Sequence, residues 1–401
     1  MSQQPAGPAG NGHAAPGDPL ERARALLPQI AAAAPQIERE RRIPEPLLTA
    51  MLEAGLFRLL VPRSLNGGEV DPLTFLRVME LVAGADASAA WCLCQTGVCG
   101  LTAAFLAPEA AREIFGPQRA VLAWGFGFSG KAVAAPGGYR VTAGWGFASG
   151  GHHATWLGGQ CYIQEADGSP RLNSSGAPVG RTMLFPAAAA TLSDVWDVMG
   201  LRGTGSDSYA VNDLFVPEAH TVARNNQRER RESGPLYTLT TDNLFSSGFA
   251  SVALGVARSM VEAFIQLARE KTPRGYRGPL GENAETQSDL AQAEAKLRAA
   301  RFFLHGAVGD AWASVLRSGQ ALTLEQRIAI RLAATHAIHQ AKQVASWAYE
   351  AAGSTAIFAA NPFERRFRDI HSIAQQVQGR KSHFQTVGKF MLGQEIELNF
   401  L

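Results

Sequence analysis

Cysteine is scarce in this sequence: four among 401 residues, at Cys92, Cys94, Cys99 and Cys161. Three of them share one apolar segment, WCLCQTGVCG, at a spacing that fits no common zinc pattern. Neither a disulfide scaffold nor a metal site is expected, and the thiols read as small core side chains in a reducing compartment. Charge of one sign is equally sparse. Lys and Arg total 37 against 35 Asp and Glu, and the one basic run is RNNQRERR, Arg224 to Arg231. A solvated loop accounts for such a run, so nucleic-acid binding is not favoured. No window of eighteen uninterrupted apolar residues exists to span a membrane. The N-terminus lacks a basic region followed by an apolar block, so no secretory signal is expected. Residues Met1 to Asp18 are Gly, Ala, Pro, Gln and Ser in the main and are expected to be unstructured. A cytoplasmic protein is expected.

What is present is apolar and periodic. Hydrophobic residues make up 46% of the chain, enough for a large core. Residues 19–118 read as a helical domain, with Leu47, Leu48, Met51, Leu52 and Leu56 on one face of a helix opened by Pro44. The helix from about Ser88 is almost wholly apolar and should be buried. Residues 119–238 change texture: short alternating runs such as GYRVTAGW and YAVNDLFVP predict an antiparallel β domain. Residues 239–401 return to helix in four long segments: Thr241–Lys271, Asn283–Leu316, Leu324–Ala352 and Pro362–Met391. Leu290, Ala293, Leu297, Ala300 and Leu304 form a seam in the second, which predicts a four-helix bundle. The fold class is therefore α+β.

The segment WGFGFSG spells G-x-G-x-x-G at Gly125, Gly127 and Gly130. A dinucleotide-binding turn needs a helix directly after it. Here KAVAAPGGYRV follows, which reads as strand, Pro-Gly turn, strand. No nicotinamide site is expected, and the glycines are explained by close backbone approach to a ligand.

The order helices, β domain, helical bundle resembles the acyl-CoA dehydrogenase fold over nearly the whole chain. GWGFASGGHHATW, WDVMGLRGTGSDSYAVNDLFVP and AAGSTAIFAANPFERRFRDI carry the resemblance. A thioester dehydrogenase of this family commonly places a glutamate eight residues after an Arg-Asp pair. After Arg368-Asp369 that position is Val377, which cannot act as a base. RRIPEPLLTAMLEAGLFRLLVPRSLNGGEVDP, the FASGG turn and RDIHSIAQQVQGRKSHF are instead similar to the oxygenase components of two-component flavin monooxygenases. This resemblance implies reduced FAD or FMN delivered by a separate NAD(P)H-dependent reductase, dioxygen as cosubstrate, a C4a-hydroperoxyflavin, no metal, a small aromatic substrate, and a homotetramer. It implies Ser149 as the hydrogen-bond donor to the flavin, and Trp124, Phe126, Ser129, Trp145, Phe147, Gly205, Ser206, Arg274, Gly353 and Ser354 as flavin contacts. Trp91, Gln95 and His153 are the candidate pocket residues. Gln376 stands where this branch often has a catalytic histidine. On a continuous helix His383 would lie two turns further along the same face and His371 on the opposite one. Two other readings remain: a flavin oxidoreductase acting on a thioester, and a non-catalytic relative that binds a ligand.

Overall fold

The computed structural model describes residues 17–398 and 401; the side chains of Phe128 and Ser129 are outside the described set. Of the expected unstructured tail, residues 1–16 likewise lie outside it. Asp18 does not belong to a tail: its carboxylate accepts the Leu20 N–H and caps α1 (Pro19–Glu40). The N-terminal helices continue with α2 (Glu45–Glu53), α3 (Pro72–Ala85), α4 (Ala87–Gly100) and α5 (Pro108–Phe115). Asp71 and Asp86 start α3 and α4 by accepting the Thr74 and Ala89 N–H groups.

Seven strands follow: β1 (Leu122–Ala135), β2 (Gly138–Trp145), β3 (Trp156–Gln164), β4 (Gly180–Pro186), β5 (Thr191–Ser193), β6 (Ser208–Pro217) and β7 (Thr221–Val222). They form one sheet in the order β5-β6-β2-β1-β3-β4-β7. The sheet is mixed, because β1 and β3 run parallel while every other pair is antiparallel. β1 runs straight through WGFGFSG and turns at Pro136-Gly137 into β2, so no helix follows the glycines. The β1–β3 register shifts between Trp124 and Phe128 and again before Gly130. Gly127 sits in this bulge at φ +92°, with open space where a Cβ would point. Gly125 is tighter: a Cβ there would meet Gly146 O at 2.6 Å.

The bundle comprises α6 (Thr241–Glu270), α7 (Ala284–Ser318), α8 (Leu324–Ala352), α9 (Phe363–Gln375) and α10 (Ser382–Met391). Thr323 and Gln326 form a reciprocal capping box at the start of α8. The expected fourth helix is broken in two. Gln376 leaves helical geometry at ψ 155°, and its side-chain oxygen accepts the Gln378 N–H, starting a short 3-10 turn over Val377–Gly379. Two segments, Ala87–Phe105 and Thr241–Glu270, are long and apolar enough on average to cross a membrane, although neither is an uninterrupted apolar run. Their most apolar stretches are almost wholly and largely buried inside the fold, respectively, which marks them as its central helices. The sheet divides the β-region core: Leu122, Trp124 and Leu184 face the helices, while Ala123, Trp145, Cys161 and Phe185 pack on the other side.

The Arg368-Asp369 pair fastens this bundle to the β region. Asp369 Oδ1 accepts the Leu201 N–H at 2.6 Å, and Arg368 donates to Met199 O at 2.8 Å. Gly200 lies so close that a Cβ would meet Arg368 O at 2.2 Å. Burial pushes the Asp369 carboxyl up to about 7, opposed by the Leu201 N–H and reinforced by Asp86. Asp369→Ala leaves a buried N–H unpaired and is expected to cost about 1–3 kcal/mol. Asp369→Asn keeps an acceptor oxygen and should stay near wild type. The raised carboxyl favours the folded state at acid pH, an advantage lost as pH rises through about 7. Urea unfolding across pH, comparing both variants, checks this; equal losses in Ala and Asn variants would contradict it.

Candidate active site

The FASGG turn is held against the Thr204–Asp207 segment. Ala148 N–H bonds Asp207 O at 3.1 Å and Gly150 N–H bonds Thr204 O at 3.3 Å. Gly150, at φ +79°, presses on α4, where a Cβ would meet Thr96 Cγ2 at 2.8 Å. Phe147 is a bulky residue at φ +61°, an uncommon left-handed conformation, and is 66% exposed, its ring meeting Trp196 edge-on at 5.9 Å. Such strain, on a residue whose ring gains little from burial, is found where the surroundings over-determine a functional geometry.

At the centre of the turn, Ser149 lies in a buried row of hydroxyls. Trp91 Nε1–H reaches Ser149 Oγ at 3.0 Å, Ser149 Oγ lies 2.6 Å from Ser206 Oγ, and Ser206 Oγ lies 2.7 Å from Thr204 Oγ1. Thr204 Oγ1 in turn lies 2.8 Å from Leu201 O. The two ends fix every proton between them. An indole only donates and a carbonyl only accepts. Thr204 therefore spends its proton on Leu201 O, Ser206 spends its proton on Thr204, and Ser149 spends its proton on Ser206. Ser149 is thus not the free donor expected from the sequence. It keeps one unused lone pair and presents an acceptor.

Aromatic rings wall the helical side of this row. Trp91 stacks on Phe249 with centroids 3.8 Å apart, Phe249 stacks on Phe245 at 5.8 Å, and Phe245 meets Trp124 edge-on at 6.3 Å. Gln95 on α4 donates to Trp124 O at 3.3 Å, tying α4 to β1. Two residues beyond Trp124 on the same face of β1, Phe126 is 51% exposed. The site therefore has an enclosed aromatic end and an open end bearing Phe126 and Phe147. Where β1 and β3 separate, the Tyr209 hydroxyl accepts the Gly125 N–H at 2.9 Å and donates to Gly158 O.

Not every sequence candidate joins this group. Trp145 belongs to the core on the opposite sheet face, packing on Phe185 and Tyr209 and donating to Gln160 O at 3.1 Å. Its strand position alternates away from that of Trp124. Gly205 is closed off by protein, since a Cβ there would meet Arg41 O at 2.3 Å, and Ser206 is buried in the hydroxyl row. The Ser129 side chain lies outside the described residues. Arg274, Gly353 and Ser354 are exposed. They share a surface because Lys271, at the start of the α6–α7 loop, donates to Ala352 O at 2.6 Å.

His153 turns to the α1–α2 connection rather than to the pocket. Its Nε2 accepts the Ile43 N–H at 3.2 Å, and burial, with the neighbouring charges of His152 and Arg42, holds its pKa down to about 4. His152 bonds the buried Asp207 at 2.7 Å. His153 is neutral in the fold, so its stability contribution is present above pH 6.5 and is lost as pH falls through about 4. His153→Gln, which keeps an acceptor but cannot titrate there, should flatten the stability–pH profile in that window. An unchanged slope in thermal melts would contradict this.

The break after Gln375 also overturns the helical-face estimate for His383. The chain turns back, and the buried His383 donates Nε2–H to Val377 O at 2.8 Å, one residue past Gln376. Burial first, then the Arg331 charge, lowers the His383 pKa. Arg331 is fully buried on α8 and donates to Gln378 Oε1 at 2.6 Å. His371 bonds Ser346 Oγ at 3.2 Å and packs on Phe367. Sequence reasoning missed Thr204, Tyr209, Phe245, Phe249, Arg224, Arg331 and Gln378. The i, i+4 spacing of Phe245 and Phe249, and a lone arginine in the apolar run AIRLAATHAI, were the available signals.

These elements match known proteins. The acyl-CoA dehydrogenase N-terminal domain model matches residues 21–120 and the acyl-CoA dehydrogenase C-terminal domain model matches residues 247–379. The chain belongs to the acyl-CoA dehydrogenase superfamily. Within it, the chain falls in the branch of flavin-dependent monooxygenases, as an oxygenase component. It is 28% identical over 364 residues to the flavin-dependent monooxygenase oxygenase subunit HsaA of Rhodococcus jostii, covering 88% of this chain and 92% of that protein. It is 28% identical to the indole-3-acetate monooxygenase of Pseudomonas putida, covering 90% of each. Among solved structures, XiaF from Streptomyces in complex with FADH2 and glycerol superposes with a TM-score of 0.88 at 26% identity, covering 96% of this chain and 97% of that one.

Proposed function

We propose that this chain takes reduced flavin from a separate NAD(P)H-dependent reductase and uses it with dioxygen to oxygenate a small aromatic substrate. Bound reduced flavin supplies the two electrons that activate dioxygen; one oxygen atom enters the substrate and the other leaves as water. The single observation that carries the reading is the proton order through Trp91, Ser149, Ser206 and Thr204. Reduced flavin carries an N–H at its N5 position, whereas oxidised flavin has a bare acceptor there. Ser149, left with one lone pair, matches the reduced form. Phe126 and Phe147 offer exposed rings beside the open bulge at Gly127, a surface on which a flat heterocycle can stack. Trp91, Phe249, Phe245 and Trp124 exclude water from the enclosed end, where an aromatic substrate would be oxygenated.

FAD is preferred over FMN in this reading, on the likeness to XiaF with FADH2. Arg274, Gly353 and Ser354 are the residues proposed to meet the flavin's phosphates or adenosine from a neighbouring subunit of a homotetramer; the exposed Phe302, Ile357 and Phe358 give the bundle apolar surface for that contact. Four free, buried cysteines suit a reducing cytoplasm. Gln376 and His383 are assigned to the support of the pocket, since Gln376 caps the turn that His383 and Gln378 bind. Val377 gives the thioester reading no carboxylate at the position where that branch commonly has its base. Anaerobic titration with reduced and oxidised FAD and FMN tests the proposal: reduced FAD should bind at least tenfold more tightly than oxidised FAD, and equal or inverted affinities would refute it.

A further inference from the structure

The buried Arg58 shows what a guanidinium saturated with acceptors looks like in this fold. Arg58, 6% exposed, donates to four carbonyls: Asn66 O, Pro117 O, Leu65 O and Phe115 O. Arg224, half-buried beside the site, is not saturated in this way. Its guanidinium lies over the Trp124 ring, 5.0 Å from the centroid. Among the described residues it makes no hydrogen bond and no ion pair. Burial lowers its pKa, and Asp242 is the carboxylate whose charge opposes that effect. Its N–H donors, which keep some access to solvent, are left available to an acceptor that enters the site.

The loop does not leave this arrangement to chance. Asn225, next in sequence, has φ +64° and accepts the Thr241 N–H at 2.8 Å. On the other side, Ala223 N–H bonds Glu229 Oε2 at 3.1 Å, and Glu229 pairs with Arg181 at 2.8 Å. Arg224 is therefore clamped from both sides, on the buried Trp124, at the enclosed end of the aromatic wall. The exposed rings Phe126 and Phe147 lie outside this enclosure.

We propose that Arg224 is a specificity-determining residue: its guanidinium binds an oxyanion, carboxylate or phenolate, carried by the aromatic substrate, while Trp124, Phe245, Phe249 and Trp91 enclose the ring. This rests on the function proposed above. A guanidinium offers two parallel N–H bonds to a carboxylate, and Lys cannot reproduce that geometry.

The test is equilibrium binding, by calorimetry, of matched anionic and neutral aryl probes to the purified full chain, with and without reduced FAD under anaerobic conditions. One arm compares 4-hydroxybenzoate with its methyl ester; the other compares ionised 4-nitrophenol with 4-nitroanisole. The wild type should prefer the anion in at least one arm by about 10- to 100-fold, the range of a charged hydrogen bond. The arm that responds identifies carboxylate or phenolate. Arg224→Gln should abolish the preference, and Arg224→Lys should retain part of it, with circular dichroism confirming the fold of both. No anion preference in either arm, or a preference that survives in R224Q, overturns the proposal. So does an R224Q variant that loses affinity for reduced FAD alone while keeping its aryl preference. Failure of the wild type to bind reduced FAD would instead refute the proposed function and is read in a separate titration.

Discussion

Ser149→Ala is expected to reduce coupled oxygenation by about 10- to 100-fold, the effect of removing one hydrogen-bonding group from a buried, charge-sensitive site. The variant removes the acceptor while keeping the turn, because the backbone bonds of Ala148 and Gly150 to Asp207 O and Thr204 O do not involve the hydroxyl. Hydrogen peroxide release should rise in step as oxygen chemistry uncouples from the substrate. Ser206→Ala provides the more discriminating result. It deletes the group that takes Ser149's proton, so Ser149 becomes free to donate. The ratio of reduced to oxidised flavin affinity should then narrow in Ser206→Ala, through tighter oxidised flavin. If both variants merely weaken both flavin forms alike, the proton order is structural and has no bearing on redox state.

Trp91→Ala is expected to cost about 3–5 kcal/mol of stability, as large-to-small changes of buried aromatics do. Trp91 is 5% exposed and stacks on Phe249, so its loss opens a void between α4 and α6. It also removes the donor that starts the hydroxyl row. Trp91→Phe separates the two effects: stacking is largely kept, the N–H is lost, and the cost should fall to about 1–3 kcal/mol. Denaturant unfolding measures the stability terms. Equal stability of the Phe variant and the wild type would show that the Trp91–Ser149 bond contributes nothing.

Local signals in the chain reached the structure well. Asp71, Asp86 and Thr323 sit where helices begin, and the turn at Pro136-Gly137 separates two strands as its composition indicates. The family motifs located Ser149 and the Arg-Asp pair. Three things were not legible. Alternation shows which face of a strand is buried but not its partner's direction, so the parallel β1–β3 pairing was missed. The helix break at Gln376 has no proline or glycine before Gly379; it is made by the Gln376 side chain capping Gln378 N–H, a competition that periodicity does not record. The hydroxyl row joins residues 91, 149, 204 and 206 from three separate segments, and only their packing reveals which way its protons point. The same holds for Arg224: in the sequence it opens a basic run that reads as a solvated loop, whereas the fold sets it on Trp124.

The central claim is that this chain holds reduced flavin in a water-excluding site and directs its reaction with dioxygen. The most direct measurement is stopped-flow mixing of the anaerobic protein–reduced FAD complex with oxygen, followed by near-ultraviolet and visible absorbance. The account predicts a species spectrally distinct from both reduced and oxidised FAD that outlasts the oxidation of free reduced FAD and decays faster in Ser149→Ala. Direct return to oxidised FAD at the rate of free flavin, with no intervening species, would contradict it.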